Sequence, residues 1–276
     1  MMLLNGIEQD LVSGTDRGLL YGDGLFETIA VIDQTPLFLE QHLQRLQRGG
    51  ERLQITIPAH SLLRRESEQL LAAAGPGQWV LKIIITRGAG GRGYRISDTE
   101  APTRLLSVTP SPYTAKHQKQ MQANGVKLYL CKTTLGENPA LAGIKHLNRL
   151  EQVLARNEWS DPSISEGIVM NGYGKVIEGT MSNLFFIQQG RVITPDLSRC
   201  GVEGVMRNLL IKQLKQQGIA VTVRPIAVDE LSEVDEAFCC NSLIGVWPIR
   251  QIGNHLSLNA PGAVTENCIQ WLKQGT

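Results

Sequence analysis

The chain has 276 residues, of which 42% are hydrophobic and 19% charged, and its formal net charge is +1. This composition is typical of a globular protein, and the charge gives no electrostatic reason to expect binding to nucleic acid or to an anionic membrane. No apolar run approaches the ~20 residues of a membrane span, and the first residues lack the pattern of a signal peptide.

The first 110 residues predict a small N-terminal α/β domain. Asn5-Gly6 is typical of a two-residue hairpin turn, and leucines at helical spacing follow Phe38. Gly75-Pro-Gly77 marks the end of a second helix. The predicted elements, in chain order, are a hairpin over residues 2–7, a strand within 19–32, helices over 38–53 and 61–74, and strands over 79–86 and 105–109.

A change in composition at Thr109-Pro-Ser-Pro-Tyr-Thr114 predicts a linker. We place it at residues 111–115, between a domain of residues 1–110 and a larger domain of residues 116–276. Strands outnumber helices in the larger domain and several are joined by hairpins, so most of its sheet is expected to be antiparallel. The predicted elements there are strands over 126–131, 166–170, 175–177, 184–187, 192–193, 219–223 and 237–240, and helices over 205–217 and 263–272.

The stretch of residues 141–156 predicts a reactive lysine. Leu147, Leu150 and Leu154 recur at helical spacing, which predicts a helix that begins just after Lys145, where a loop ends. Helix N-termini favour anionic groups nearby, and an amine among apolar side chains can act as a nucleophile or base. A surface lysine at the start of a helix is the alternative interpretation when this residue is considered alone.

Cysteine and histidine spacing gives no indication of a metal site. The five cysteines and five histidines show no ligand spacing, and the odd number of cysteines fits no disulfide framework. We therefore expect reduced cysteines, no bound metal and a cytoplasmic location.

Two motifs resemble a known enzyme family: Gly143-Ile-Lys-His-Leu-Asn-Arg-Leu-Glu151 and Arg87-Gly-Ala-Gly-Gly-Arg-Gly-Tyr94. They are similar to motifs of the fold-type IV family of pyridoxal phosphate (PLP) enzymes, and the resemblance extends from Asp16 to the region near Pro248. It implies a mixed α/β (α+β) fold with a smaller N-terminal α/β domain and a larger C-terminal PLP-binding domain. The larger domain would hold a mostly antiparallel, barrel-like sheet flanked by helices, and the protein would be a homodimer.

PLP requires an attachment amine, an acid near the pyridine nitrogen and donors to its phosphate. The residues that the resemblance implies are Lys145 for attachment, Glu178 as the acid, and Arg45, Ser242 and the backbone of Val205 and Met206 for the phosphate. The family often has threonine where Met206 stands, so only a backbone contact is expected there. Considered alone, Glu178 could equally be a surface charge at a strand end, Arg45 part of a solvated helix face, and Ser242 a turn residue.

The cofactor does not identify the reaction, because one scaffold supports several. The two motifs most resemble family members that convert 4-amino-4-deoxychorismate to 4-aminobenzoate and pyruvate in folate biosynthesis. D- or branched-chain amino acid aminotransferases are the alternative, and a binding protein with a decayed PLP pocket is a third. The implied substrate carries two carboxylates; Arg92 is the candidate to bind one of them, with Tyr94 and Thr28 as polar lining. A solvated charge in a glycine-rich loop is the competing interpretation of Arg92.

Overall fold

The structure is a computed structural model, and it describes residues 1–96 and 101–275. The chain divides into two compact units. Unit 1 comprises Met1–Pro112 and Ile144–Asn148, and unit 2 comprises Tyr113–Gly143 and Arg149–Thr276. The segment around Lys145 therefore folds with the N-terminal residues, which the sequence patterns did not indicate.

Unit 1 is built on an antiparallel sheet. Its elements are β1 (Met2–Leu4), β2 (Ile7–Glu8), α1 (Arg17–Tyr21), β3 (Gly24–Ile32), β4 (Thr35–Pro36), α2 (Leu39–Leu53), α3 (His60–Ala74), β5 (Gln78–Thr86) and β6 (Thr103–Pro110). The strand order is β2-β1-β6-β5-β3-β4. The predicted hairpin, both predicted helices and the predicted strands of this part are confirmed within a few residues, whereas α1 was not predicted.

The two faces of this sheet differ in burial, as the alternation of side chains along a strand requires. Leu25, Ile29 and Val31 of β3 point to one face and are almost fully buried, together with the leucines of α2 and α3. Phe26 and Thr28 point to the other face and are half-buried. The helices therefore cover the face that carries Leu25, Ile29 and Val31, whereas the face that carries Phe26 and Thr28 is less buried.

Helix α2 runs through Gly49-Gly50, although glycine has a poor helix propensity. Both glycines are buried. A Cβ on Gly49 would lie 2.9 Å from the side chain of Leu25, and one on Gly50 would lie 2.8 Å from the carbonyl oxygen of Ile55 and closer still to the side chain of Ile57. The two glycines thus allow close packing, which compensates for their poor helix propensity.

We predict that Gly50→Ala destabilises the protein, although alanine ordinarily favours a helix. The added methyl group would clash with backbone and side-chain atoms, so the free energy of unfolding should fall by about 1–3 kcal/mol. Urea unfolding measures this, with Arg48→Ala on the exposed side of the same helix as the control, for which a change within about 0.5 kcal/mol is expected. A stability of Gly50→Ala equal to or above that of the wild type would contradict the packing.

Unit 2 contains a larger sheet. Its elements are α4 (Ala115–Asn124), β7 (Val126–Leu135), α5 (Leu150–Arg156), β8 (Ile164–Asn171), β9 (Lys175–Gly179), β10 (Asn183–Gln188), β11 (Arg191–Pro195), α6 (Val205–Gln216), β12 (Val221–Arg224), β13 (Ile226–Ala227), a 3₁₀ helix (Val228–Glu233), β14 (Glu236–Asn241), β15 (Gly245–Ile252), β16 (Leu256–Ser257) and α7 (Ala263–Gly275). The order is β12-β11-β10-β14-β15-β7-β8-β9-β13, with β16 on β15. Most pairs are antiparallel, and three are parallel: β11–β12, β7–β8 and β7–β15.

This sheet curls into a nearly closed barrel. Its two end strands, β12 and β13, are separated along the chain by Pro225 alone, so the ends of the sheet must approach each other. Helices α4 and α7 pack against β15, and α6 packs against β14. The expected mixed α/β fold with a mostly antiparallel, barrel-like sheet flanked by helices is therefore confirmed.

The predicted helix just after Lys145 is wrong. Helix α5 begins at Leu150 instead, and the intervening residues are irregular apart from a β-bridge between His146 and Leu25. The leucine spacing did not mark a buried stripe, because Leu150 is 76% exposed and Leu154 is 60% exposed. The argument from a helix N-terminus at Lys145 therefore does not apply.

Other features of unit 2 also went beyond the sequence patterns. Helix α4 begins at Ala115, within the predicted linker, and β15 was not predicted. All five cysteines are buried free thiols. Among residues 1–96 and 101–275, no helix combines the length and the apolar character needed to cross a bilayer.

Candidate active site

Lys145 lies on a segment that pairs with the start of β3. The N–H of Phe26 donates to the carbonyl of Lys145 at 3.0 Å, and the N–H of Leu147 donates to the carbonyl of Gly24 at 3.0 Å. The Nζ of Lys145 lies 4.3 Å from the centroid of the Phe26 ring, and the side chain is half-buried. Backbone pairing and a cation–π contact thus give the amine a defined position.

The residue two positions before Lys145 is anchored within unit 2. Gly143 has φ +80°, a conformation that favours glycine. Its N–H donates to the carbonyl of Gly201 at 2.9 Å, and its carbonyl accepts from the N–H of Glu203 at 3.1 Å. Only Ile144 separates Gly143 from Lys145 along the chain. The backbone of Gly143 is therefore held by hydrogen bonds within unit 2.

A second lysine approaches the same aromatic ring from β5. The Nζ of Lys82 lies 5.5 Å from the centroid of the Phe26 ring, so the two ammonium nitrogens lie within about 10 Å of each other. Lys82 is the cross-strand partner of Thr28, and both side chains belong to the less buried face of the sheet. Sequence analysis did not single out Lys82, although its polar character within an apolar strand was a usable signal.

Arg45 belongs to a buried cluster of charged groups on the opposite face of β3. Its Nε and Nη2 donate to the two carboxylate oxygens of Glu27 at 2.8 and 2.5 Å, and Nδ1 of His42 lies 2.6 Å from Glu27 Oε2. Arg45 is 6% exposed, and Glu27 and His42 are almost fully buried. Arg45 therefore does not lie on a solvated helix face. Its predicted role in binding a phosphate stays a prediction.

The electrostatics of this cluster favour an ionised Glu27. Burial by itself raises the pKa of Glu27, but the charge and hydrogen bonds of Arg45, with a contribution from His42, lower it from 4.5 to about 2. Burial also lowers the pKa of His42, against the opposing effect of Glu27, and the positive charges of Arg45 and Lys145 lower it further. The cluster thus contains one carboxylate, one guanidinium and a histidine whose neutral form is favoured.

Glu178 lies near the end of β9 in unit 2, and it is 4% exposed. Its Oε2 accepts a hydrogen bond from the N–H of Val202 at 2.8 Å. It is therefore a buried, oriented carboxylate rather than a charge on the surface, which removes the alternative interpretation from sequence.

The N-terminus of α6 is tied to the same segment by Asn183. The Asn183 Nδ2 donates to the carbonyl of Val202 at 2.9 Å, and its Oδ1 accepts from the N–H of Gly204 at 3.1 Å. Val205 and Met206 follow as the first residues of the helix, and both side chains are buried. The N-cap residue, Gly204, has no side chain that could cap the helix. The backbone N–H groups of its first turn are suited to an anion.

A buried glutamate that the sequence patterns did not indicate holds the loop after Glu178. Glu166, 1% exposed, accepts from the N–H and hydroxyl of Thr180 at 3.0 and 2.5 Å, from the N–H of Met181 at 3.2 Å and from the hydroxyl of Ser182 at 2.8 Å. Burial raises the pKa of Glu166, against the effect of these donors. The loop therefore has a fixed conformation without regular secondary structure.

Ser242 lies in the turn after β14, which is connected to that same loop. Asn241 donates from Nδ2 to the carbonyl of Met181 at 3.0 Å, and its Oδ1 accepts from the N–H groups of Leu243 and Ile244 at 2.8 and 2.9 Å. Ser242 is half-buried. In unit 2, hydrogen bonds of Val202, Gly204 and Met181 thus tie together the segments that carry the predicted positions Glu178, Val205, Met206 and Ser242.

Arg92 and Tyr94 lie in the glycine-rich loop of unit 1 and are both exposed. The Tyr94 ring lies 5.3 Å from the ring of Tyr21, centroid to centroid. Unit 1 therefore contains Lys145, Arg45, Thr28, Arg92 and Tyr94, whereas unit 2 contains the remaining predicted site residues. Their roles in binding cofactor or substrate stay predictions.

A model of the family described as amino-transferase class IV matches residues 24–252. The chain belongs to the class IV aminotransferase family. This result confirms the resemblance that the motifs around Lys145 and after Arg87 indicated.

Individual members of the class IV aminotransferase family show how close the relation is. The chain is 38% identical over 253 residues to an aminodeoxychorismate lyase of Vibrio harveyi, covering 91% of each chain. It is 29% identical over 261 residues to a putative branched-chain-amino-acid aminotransferase of Methanocaldococcus jannaschii, covering 92% of this chain and 88% of that one. The crystal structure of 4-amino-4-deoxychorismate lyase from Pseudomonas aeruginosa superimposes with a TM-score of 0.92 at 44% identity, covering 99% and 98% of the two chains.

We predict that Glu27 and His42 make the protein less stable in acid. Both groups have a lower pKa in the folded protein than in the unfolded chain, where the pKa is 4.5 for Glu27 and 6.5 for His42. Their contributions to the free energy of unfolding are therefore complete above these unfolded values and are lost as the pH falls below them. For Glu27 the loss continues down to its folded-state pKa of about 2. Glu27→Gln breaks a buried ion pair and should lower the free energy of unfolding by about 3 kcal/mol at pH 7, with a smaller loss at pH 3.

Urea unfolding of the wild type and of Glu27→Gln at the two pH values measures this difference. Glu68→Gln, an exposed position on α3, is the matched control and should change stability little at either pH. An equal loss for Glu27→Gln at pH 7 and pH 3 would show that ionisation of Glu27 does not contribute.

Proposed function

We propose that the protein is a PLP-dependent lyase that converts 4-amino-4-deoxychorismate to 4-aminobenzoate and pyruvate, and that it serves folate biosynthesis. Similarity to lyases at 38% and 44% identity supports this activity over an aminotransferase, for which the similarity is 29%. The observation that carries the proposal is the fixed Lys145, which pairs with β3 and holds its amine over the Phe26 ring.

The donor groups of the chain fit PLP. Lys145 supplies the amine for covalent attachment, and the buried carboxylate of Glu178 matches a protonated pyridine nitrogen. The uncapped first turn of α6, with Val205 and Met206, offers N–H groups of the kind a phosphate requires. Ser242 offers a hydroxyl, and Arg45 adds a guanidinium whose orientation Glu27 fixes.

When bound, PLP would withdraw electrons from the carbon that carries the substrate amine. Lys145 would act there as the base and remove the proton from that ring carbon. The enolpyruvyl oxygen then leaves from the adjacent carbon with the bonding electron pair, and the ring becomes aromatic. Lys145 would return the proton to the enolpyruvate, which yields pyruvate. Aromatisation makes the step strongly favourable, so the chain must chiefly hold and orient the reacting groups.

The two carboxylates of the substrate require cationic partners. Arg92 and Tyr94 are candidates from the glycine-rich loop, and Thr28 is a candidate from β3. Lys82 is a further candidate, because its ammonium lies within about 10 Å of that of Lys145 on the same face of the sheet. In the substrate, the carboxylate on the ring likewise lies within about 10 Å of the amine nitrogen that would react at Lys145.

A homodimer is part of the proposal. Helix α5 carries a stripe of exposed apolar side chains, Leu150, Val153 and Leu154, which are 76%, 52% and 60% exposed. Adjacent apolar residues at this exposure are typical of a surface that another chain covers. The cytoplasmic location stays a prediction, as does the expectation that no nucleic acid is bound.

The activity is tested by mixing the purified protein with 4-amino-4-deoxychorismate and following the fluorescence of 4-aminobenzoate. We expect turnover without a keto acid, and a loss of about a thousandfold or more in Lys145→Ala, which lacks the base. Lys119→Ala on the exposed side of α4 is the control and should retain the wild-type rate. Turnover that occurs only with an amino acid and a keto acid would identify an aminotransferase instead.

The contribution of Lys82 is tested with Lys82→Met, which keeps the length of the side chain and removes its charge. Loss of one charged contact to a substrate carboxylate should raise KM about tenfold and leave the affinity for PLP unchanged. Steady-state kinetics and titration of the apoenzyme with PLP measure the two quantities, with Lys119→Met as the control. A KM equal to that of the wild type would exclude Lys82 from substrate binding.

A further inference from the structure

The glycine-rich loop begins at Arg87, whose side chain is anchored on two sides. Its Nε and Nη2 donate to the carboxylate of Asp23 at 2.8 and 3.0 Å. Its Nη1 and Nη2 also donate to the carbonyls of Gln54 and Leu53 at the end of α2, each at 2.8 Å. Arg87 is 6% exposed, so the start of the loop is held by a buried guanidinium with a full set of partners.

The glycine-rich loop comprises Arg87–Tyr94, and its other end is held by Arg17 of α1. Its Nη1 donates to the carbonyl of Gly93 at 2.9 Å, and its Nη2 donates to the carbonyl of Tyr94 at 3.3 Å. Arg17 also stacks over the ring of Tyr21, with 5.1 Å between its guanidinium carbon and the ring centroid. The side chain is 4% exposed although it contacts an exposed loop.

Asp23 joins these two ends. The Nε of Arg17 donates to Asp23 Oδ2 at 2.9 Å, and this oxygen also accepts from Arg87. Burial by itself raises the pKa of Asp23, but the hydrogen bonds and charges of Arg87 and Arg17 outweigh it and hold the pKa below its ordinary value. One ionised carboxylate therefore orients both arginines, which are 70 residues apart in the chain.

Gly88 and Gly90 are held by backbone hydrogen bonds to Arg17 and Thr15, at 2.8 and 3.3 Å, whereas Gly91 and Arg92 make no hydrogen bond with the described residues. A Cβ on Gly91 or Gly93 would have no heavy atom of the described residues within 4 Å, and Gly93 has φ +91°. Arg92 lies between these two glycines and is exposed. The position of Arg92 thus depends on how firmly the backbone is held before Gly91 and at Gly93.

We propose that Asp23 is a positioning residue that fixes both ends of the glycine-rich loop through Arg17 and Arg87, and thereby determines where Arg92 and Tyr94 meet a substrate carboxylate. The inference rests on the proposed function for the identity of the substrate. The geometry of the clamp itself, formed by Asp23, Arg17 and Arg87, is independent of it. A loop with fixed ends and a glycine-flanked tip presents its arginine at a lower entropic cost than a loop with free ends.

A comparable ion pair elsewhere in unit 1 provides the control. Arg104 donates from Nε and Nη2 to the carboxylate of Glu66 at 2.8 and 2.7 Å, and Glu66 is 4% exposed. This pair connects β6 to α3, and no hydrogen bond joins it to Arg87–Tyr94 among the residues that the structure describes. Glu66→Gln therefore removes a similar interaction and should lower stability without affecting the loop.

The experiment compares the wild-type holoenzyme with Asp23→Asn, Arg17→Lys and Glu66→Gln. Trypsin cleaves after arginine, so the rate at which fragments end at Arg92 or Arg95 reports on the mobility of the loop. We expect cleavage there to be about fivefold faster or more in Asp23→Asn and Arg17→Lys.

In the same two variants we also expect a KM for 4-amino-4-deoxychorismate about tenfold higher than in the wild type, with kcat and the affinity for PLP within about twofold of the wild type. Glu66→Gln should match the wild type in all four quantities.

Equal cleavage rates in the wild type and in Asp23→Asn would overturn the clamp, as would equal KM values. Arg17→Lys keeps the positive charge and removes the fork that reaches Gly93 and Tyr94, so it decides the question if Asp23→Asn does not fold. If the wild type converts no 4-amino-4-deoxychorismate, the proposed function is wrong, and the cleavage rates alone then decide on the clamp. Faster cleavage in Glu66→Gln as well would attribute the effect to general destabilisation and would overturn the inference.

Discussion

The position of Lys145 depends on backbone hydrogen bonds to the first residues of β3. This short stretch of β3 serves the site in several ways, because successive side chains of a strand point to opposite faces. Phe26 and Thr28 point to the less buried face, where the Phe26 ring lies beside the amine. Glu27 points to the opposite face and orients Arg45. A change in the register of β3 would therefore displace all of these groups together.

Unit 2 has a corresponding constraint. Its buried polar side chains form hydrogen bonds with backbone groups of segments that have no regular secondary structure. Glu178 accepts from Val202, and Asn183 bridges Val202 to the start of α6. Glu166 accepts from successive residues of the loop that follows Glu178. Buried backbone N–H groups need partners, and here carboxylates and an amide provide them. The segments around Glu178 are thereby as well defined as a helix or strand.

The sequence patterns predicted most helices and strands well, but they predicted poorly which charged residues contact one another. Periodicity located α2, α3 and the hairpin of β8 and β9, because these carry one clear apolar face or a glycine turn. The same leucine spacing predicted a helix directly after Lys145, but periodicity cannot show whether a stripe is buried, and Leu150 and Leu154 are exposed. The motif around Lys145 indicated its importance, whereas its pairing with β3 joins residues more than a hundred positions apart.

Glu27, Glu166 and Asp23 could not be recognised from sequence for a related reason. The residue type does not show whether a carboxylate is buried or solvated, and only its partners in the folded protein distinguish the two cases. Those partners lie 18 residues away for Glu27 and Arg45, and 64 residues away for Asp23 and Arg87. Without the fold, nothing assigns these residues to one another.

Two arginine–carboxylate clusters of unit 1, Glu27 with Arg45 and Asp23 with Arg17 and Arg87, are better explained by position than by stability. Burying a charge is costly, and replacing a buried ion pair by apolar side chains of similar volume is often neutral or stabilising. Stability alone would therefore not favour Glu27 with Arg45, or Asp23 with Arg17 and Arg87, over an apolar core. A fork-shaped guanidinium held by a carboxylate, however, has one orientation, which an apolar side chain cannot provide. The first cluster lies beneath the strand that pairs with Lys145, and the second holds the ends of the loop that carries Arg92. These two clusters thus lie where a reacting molecule would require fixed geometry, whereas the pair of Arg104 and Glu66 joins β6 to α3.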